Sequence, residues 1–280
     1  MTVSIRRLDP RRFITLLSQL HAESGVAKNP RRFDPRAGVV LLTVAVCLLM
    51  LHYLKYRSSF HATLEWIAPW FDLSPRELVT MVRRHPYGDL FSQAWWGSWH
   101  VITYVLIPVL VLKLVLKDRL RDMGLGLGSL SRHWGWYVLL ASPILVFVVL
   151  ASYRPDFVNY YPFYRQAHLS WMDLLLWEAI YLLQFVCLEF FFRGFFIHAL
   201  RPAMGVNAVF VMCVPYLMIH FPKPWLEATG AILFGLFLGV LSMRSRSIWG
   251  GVGVHLAIAA GMDIAALIQG PGLPKTLLRF

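Results

Sequence analysis

Glu189 and Arg193 stand four residues apart in the apolar stretch CLEFFFRGFF, Cys187 to Phe196. On a helix that spacing puts them on one face, within ion-pair reach. In a lipid-facing segment such a pair keeps both groups charged and partly satisfied. A carboxylate held in this way, next to a histidine, is equipped to take a proton from water during hydrolysis. The plainer reading is an ion pair that only fixes helix packing.

Further ionisable residues interrupt apolar runs in the same half of the chain: Glu178, His220, Glu227, His255 and Asp263. Charged groups inside a bilayer are costly and face a cavity or each other. With a rise of about 1.5 Å per residue, counted from the presumed cytoplasmic helix ends, Glu189, His220, Glu227 and Asp263 fall roughly 18 to 24 Å deep, and Arg193 and His255 roughly 10 to 12 Å. An imidazole and three carboxylates in one layer suit two chemistries. One is general-base activation of water. The other is coordination of a divalent metal such as zinc. Each residue also has a plainer role. His220 alone reads as a core histidine bonded to backbone, and Glu227 as a first-turn acid favoured by the helix dipole. Glu178 reads as lying near the outer interface and His198 as an ordinary interface residue. The phenylalanines of FFFRGFF read as packing or lipid contacts.

The elements that must position these residues are membrane helices. The chain has 280 residues, 58% of them hydrophobic, and apolar runs long enough to cross a bilayer recur along it. The fold expected is all-α and polytopic, with about seven transmembrane helices: 38–54, 94–116, 134–152, 171–201, a short one at 207–220, 225–243 and 248–269. Three divisions are expected. Residues 1–36 form a basic cytoplasmic segment with an amphipathic helix from Asp9-Pro10 onward. Residues 37–170 form N-terminal membrane helices, and 171–280 a catalytic core. Ser74-Pro75-Arg76-Glu77 reads as a capping box opening a short interfacial helix.

The net charge of +12 lies mostly outside the apolar runs. It suits loops facing anionic lipid, and no basic nucleic-acid-binding module accompanies it, so no nucleic-acid partner is expected. The positive-inside rule places the N-terminus, the Lys117–Arg132 loop, Arg201 and Arg244/Arg246 in the cytoplasm. The stretch after the first span carries Lys55, Arg57, Arg76, Arg83 and Arg84, which is basic for the outer loop it would then be. Cys47, Cys187 and Cys213 form no metal or disulfide spacing. With no short apolar core and cleavage site at the N-terminus, the first span is expected to act as the insertion signal.

Three motifs in order resemble the CPBP family of CAAX prenyl endopeptidases and bacterial intramembrane proteases. They are LEFFFRGFF (Leu188 to Phe196), YLMIH (Tyr216 to His220) and SMRSRSIWGGVGVH (Ser242 to His255). The resemblance covers about Trp171 to Leu267. It implies an intramembrane endopeptidase in which Glu189 and His220 activate water to cut a membrane-anchored protein or peptide. His255, with an acid or amide partner, would stabilise the oxyanion, and Arg193 would be a structural partner. The family is often labelled metalloprotease, so a divalent metal is kept open as a cofactor.

Two positions depart from the family pattern. Leu188 stands where a first glutamate is usual, and Ala259 where Asn or Asp is usual. A single-glutamate branch, with KP before Glu227 and MD in the last span, makes Glu227 and Asp263 the replacements. The expected location is a bacterial inner (plasma) membrane, which would favour an exported or lipidated substrate over a prenylated one. The alternatives are a catalytically inactive membrane scaffold or binding protein of the same fold and, third, a small transporter.

Overall fold

A computed structural model describes residues 10–23, 34–223 and 225–279. Among them the regular structure is helical throughout. In chain order the helices are α1 (Pro10–Ala22), α2 (Pro35–Leu54), α3 (Arg57–Ile67), α4 (Pro75–Arg84), α5 (Gly88–Leu116), α6 (Leu130–Ala151), α7 (Pro155–Tyr160), α8 (Trp171–Met204), α9 (Asn207–Met218), α10 (Trp225–Ser245) and α11 (Trp249–Gln269). The expected all-α, polytopic class is the one found. Six helices, α2, α5, α6, α8, α10 and α11, are long and apolar enough to cross a membrane.

The fifth apolar helix is short, as expected. α9 has 12 residues, about 18 Å at the helical rise, against a hydrocarbon core of about 30 Å. One feature differs from expectation: α5 and α8 are not uniform α-helices, because Ile102–Leu106, Val111–Leu116 and Phe190–His198 are π-helical. Such wide turns are rare and concentrate at functional sites.

The chain divides into two compact units, taken in turn here. The first comprises Met1–Ala45, Pro108–Gly135 and Glu189–Gly251; the second comprises Val46–Ile107, Trp136–Leu188 and Val252–Phe280.

In the first unit, α9 packs on α10 and on the π-helical turns of α8. Gly235 and Gly239, four residues apart on α10, permit the close approach. A methyl group on Gly239 would lie 2.8 Å from Val209 Cγ1, and one on Gly235 3.0 Å from the Tyr216 ring. This is the small-xxx-small spacing by which membrane helices bring their backbones together. The basic loop before α6 is stitched to the turn after α10. Ser129 N donates to Ser245 O at 2.8 Å, and Ile248 N to Gly124 O at 2.9 Å. Arg244 Nε donates to His133 Nε2 at 3.1 Å.

In the second unit, α3 and α4 form a hairpin with a small core of Leu64, Ala68 and Leu78. The capping box at Ser74 is present: Ser74 N donates to Glu77 Oε2 at 2.8 Å, and Glu77 N to Ser74 Oγ at 3.4 Å. Hydrogen bonds from the Ser74 side chain and backbone hold the Glu77 carboxyl below the usual carboxylate range. Trp177, Tyr164, Tyr181, Leu174 and Leu90 make a larger apolar core. The C-terminal segment caps α8, since Trp171 N and Met172 N donate to Thr276 O and Leu277 O at 2.9 and 3.1 Å. Helix first turns leave such N–H groups without intrahelical partners.

Gly128 gives a test of the stitched loop. Its φ is +51°, and a methyl group there would lie 2.1 Å from Ser245 O, whereas one on Gly126 meets nothing within 4 Å. Gly128→Ala is expected to lower stability by about 1–3 kcal/mol or more, since a left-handed non-glycine residue alone costs that much. Gly126→Ala is expected to leave it unchanged. Thermal unfolding of the two variants in detergent compares them directly.

Candidate active site

The apolar sequence of α8 carries Glu189 and Arg193 into the first unit at the start of the π-helical turns. Both side chains are wholly buried, with Arg193 Nη1 3.0 Å from Glu189 Oε1. The sequence-predicted pair is therefore formed. Phe190, Phe191, Phe192, Phe195 and Phe196 are buried as well, so these rings serve packing.

Two further residues complete the surroundings of the pair. The Arg193 guanidinium lies over the Tyr216 ring, 4.0 Å from its centroid, a cation–π contact of the kind that strengthens when desolvated. Gly251 lies against the carboxylate: a methyl group added there would sit 2.1 Å from Glu189 Oε2. Any side chain at 251 would displace the Glu189 carboxylate. Sequence reasoning missed both roles. The signal for Tyr216 was its spacing of four from His220. The signal for Gly251 was the Gly-Gly pair in SIWGGVGVH.

His220 follows α9 and is half-buried. Its ring contacts the Tyr216 ring, centroids 4.8 Å apart, and its Nδ1 lies 2.7 Å from Tyr216 O. A carbonyl oxygen only accepts, so Nδ1 carries the proton. In the neutral ring Nε2 then holds the lone pair, which is the form a general base requires. Glu189, Arg193, Tyr216 and His220 are thus joined by successive contacts within one unit.

Glu227, on the first turn of α10, pairs with Lys223 at 3.1 Å and keeps 35% of its side-chain exposure. Lys223 is the partner that sequence reasoning missed. His198, expected at an interface, is instead buried within the unit, its Nε2 3.3 Å from Ser242 Oγ.

The second unit holds the remaining candidates. His255 is half-buried and stacks on Phe185, centroids 5.5 Å apart and planes 16° apart. Asp263 is fully buried and its Oδ2 accepts from Trp177 Nε1 at 2.7 Å. The Glu178 carboxylate lies near that of Asp263. Trp177 was not foreseen, and nothing in its position signalled the contact.

The metal chemistry left open by the sequence does not fit these residues. Among the described residues no group of three or more His, Cys, Asp and Glu side chains could hold a metal ion. The carboxylates expected to share one layer have separate partners: Arg193 for Glu189, Lys223 for Glu227 and Trp177 for Asp263.

Gly251→Ala is expected to break the carboxylate's seat and lower stability by about 1–3 kcal/mol, the usual cost of overpacking. Gly253→Ala, where a methyl group meets nothing within 4 Å, is expected to be neutral. Unfolding of both variants in the same detergent checks this.

Comparison with known proteins adds one finding. The family described as type II CAAX prenyl endopeptidase Rce1-like matches residues 170–261. No curated protein and no solved structure matches the chain. The matched third of the chain contains all three sequence motifs, and with them Glu189, Arg193, Tyr216, His220, Gly251 and His255. Residues 170–261 are therefore similar to the type II CAAX prenyl endopeptidase Rce1-like family.

Proposed function

We propose that this protein is an intramembrane endopeptidase that hydrolyses a peptide bond in a membrane-anchored protein or peptide. The observation that carries the reading is the wholly buried Glu189, held by Arg193 and linked through Tyr216 to His220, inside the family-matched segment. In the proposed reaction, water gives one proton to Glu189 while its oxygen bonds to the scissile carbonyl carbon. His220 Nε2 accepts a hydrogen bond from the same water and orients it. The carbon–nitrogen bond then breaks, and the proton held by Glu189 passes to the departing amine. Arg193 keeps the carboxylate in place between turnovers. The oxyanion-holding role of His255 rests on its motif. The apolar helices suit an integral membrane protein, of a bacterial inner membrane on this reading, and the basic N-terminal segment supports a cytoplasmic N-terminus.

One observation favours a second reading, an inactive scaffold of the same fold. Glu189 has no solvent exposure, and the neighbouring family glutamate position is Leu188, itself buried. A permanent structural pair needs no water, whereas a base does.

Deletion of the gene and C- and N-terminal peptide mapping of membrane and secreted proteins separates the two. Wild type is expected to restore a specific cleavage, and Glu189→Gln at normal protein level to reduce it by about 100-fold or more, the usual scale for losing a general base. Full restoration by Glu189→Gln would leave the scaffold reading standing alone.

A further inference from the structure

The sequence left one feature unexplained, the arginines between the first two spans. They lie on the α3–α4 hairpin, which is tethered at both ends to membrane-spanning helices. Its base is fixed by the Arg57–Asp89 ion pair and by Trp95 Nε1, which donates to Leu54 O at 2.8 Å. The hairpin spends its own apolar core internally, yet it leaves large aromatic groups outside. Trp66, Trp70 and Phe71 are 67%, 69% and 62% exposed. The Trp66 and Trp70 rings meet edge to face at 4.8 Å. Tryptophan presented in this way beside a membrane helix is an interfacial anchor.

Beside these rings, α4 forms a shallow groove of about 630 Å³. Leu73 and Met81 give it apolar walls, and Arg76, Arg84 and His85 give it donors. Among the described residues, Arg76, Arg83 and Arg84 are exposed and make no ion pair. His85 Nδ1 accepts from Tyr87 N at 3.1 Å, so the His85 ring presents Nε2–H as a donor. The one carboxylate lining the groove, Glu77, is already engaged by Ser74 N in the capping box. The groove is thus a cationic, donor-rich pocket with apolar walls. An anionic amphiphile complements it, and a bilayer supplies one at high concentration.

We propose that the α3–α4 hairpin lies in the headgroup layer and binds an anionic phospholipid. Arg76 and Arg84 meet its phosphate, Leu73 and Met81 receive the upper part of its chains, and Trp66, Trp70 and Phe71 seat the hairpin. The site is independent of the proposed hydrolysis, since none of its residues lies in the family-matched segment.

The test uses the full chain in detergent, titrated with phosphatidylglycerol or phosphatidylcholine and read by native mass spectrometry. Phosphatidylglycerol is expected to be retained preferentially. Arg76→Gln and Arg84→Gln are each expected to weaken that retention about five-fold, the scale of one basic residue at an anionic surface. Arg83→Gln, outside the groove, is expected to weaken it less than Arg84→Gln does. Equal retention of the two lipids by wild type, or unchanged retention in the Arg76→Gln/Arg84→Gln variant, overturns the proposal. Displacement of the lipid by inorganic phosphate alone makes the groove a free-anion site and also overturns it. A measurement on the unsubstituted chain guards against misfolded variants. Brominated phosphatidylglycerol is expected to quench tryptophan emission more than brominated phosphatidylcholine in mixed vesicles, and equal quenching rejects the site.

Discussion

Burying a carboxylate and a guanidinium together in an apolar segment is the constraint from which the local architecture follows. On a solvated surface this (i, i+4) pair would contribute at most about 1 kcal/mol. Where Glu189 and Arg193 sit, with no exposure, removing either partner would strand the other, at about 3–5 kcal/mol. The pair is therefore obligatory, and its needs propagate. A flat guanidinium needs a face to lie on, which Tyr216 supplies at 4.0 Å. Tyr216 can reach it because Gly235 lets α9 approach α10. The carboxylate needs backbone without a side chain beside it, and Gly251 provides that. Residues on α8, α9, α10 and α11 are thus selected by one charge pair.

The second unit handles buried acids by a different chemistry. Asp263 accepts from the neutral Trp177 N–H. Asp173, at the head of α8, accepts from Tyr164 and Ser170 hydroxyls, and Arg279 Nη2 stands back at 3.7 Å. Neutral donors hold an acid in place without fixing a full counter-charge against it. A direct ion pair, as at Glu189, sets a full counter-charge against the acid. The hydroxyl of Tyr164, tied to Asp173 in a buried setting, is correspondingly held well above the usual tyrosine range.

Much of this was legible in the sequence because it depends on spacing along one helix. Glu189 and Arg193 at (i, i+4), the Ser74–Glu77 capping box, and six of the expected spans are all local patterns that survive folding. What was not legible depends on direction around a helix or on a partner from another segment. Helical rise gives depth but no azimuth, so the sequence could not show that Lys223 pairs with Glu227 or that Trp177 donates to Asp263. The same limit made a metal cluster look available. The π-helical turns after Glu189 have no sequence signature, and they change the direction in which each later side chain of α8 points. The short α9 looked like a span because it is apolar throughout; only its 12-residue length shows that composition and crossing are separate properties.

The closed state of Glu189 bears on how a site of this kind could work. Gly251 removes a side chain from beside the carboxylate, but the space it leaves is filled by the carboxylate itself, with a methyl position only 2.1 Å from Oε2. A bound water needs room of its own and two or more polar partners. Such partners exist in the unit, in the Glu189 oxygens and in the lone pair of His220 Nε2, but the pair occupies the room between them with Arg193 and Tyr216. Hydrolysis on this framework therefore requires the ion pair to open as water enters, so that Arg193 leans on Tyr216 alone while Glu189 turns toward the water. The cation–π contact makes that opening less costly than an unpartnered arginine would be, because the guanidinium keeps one neighbour throughout.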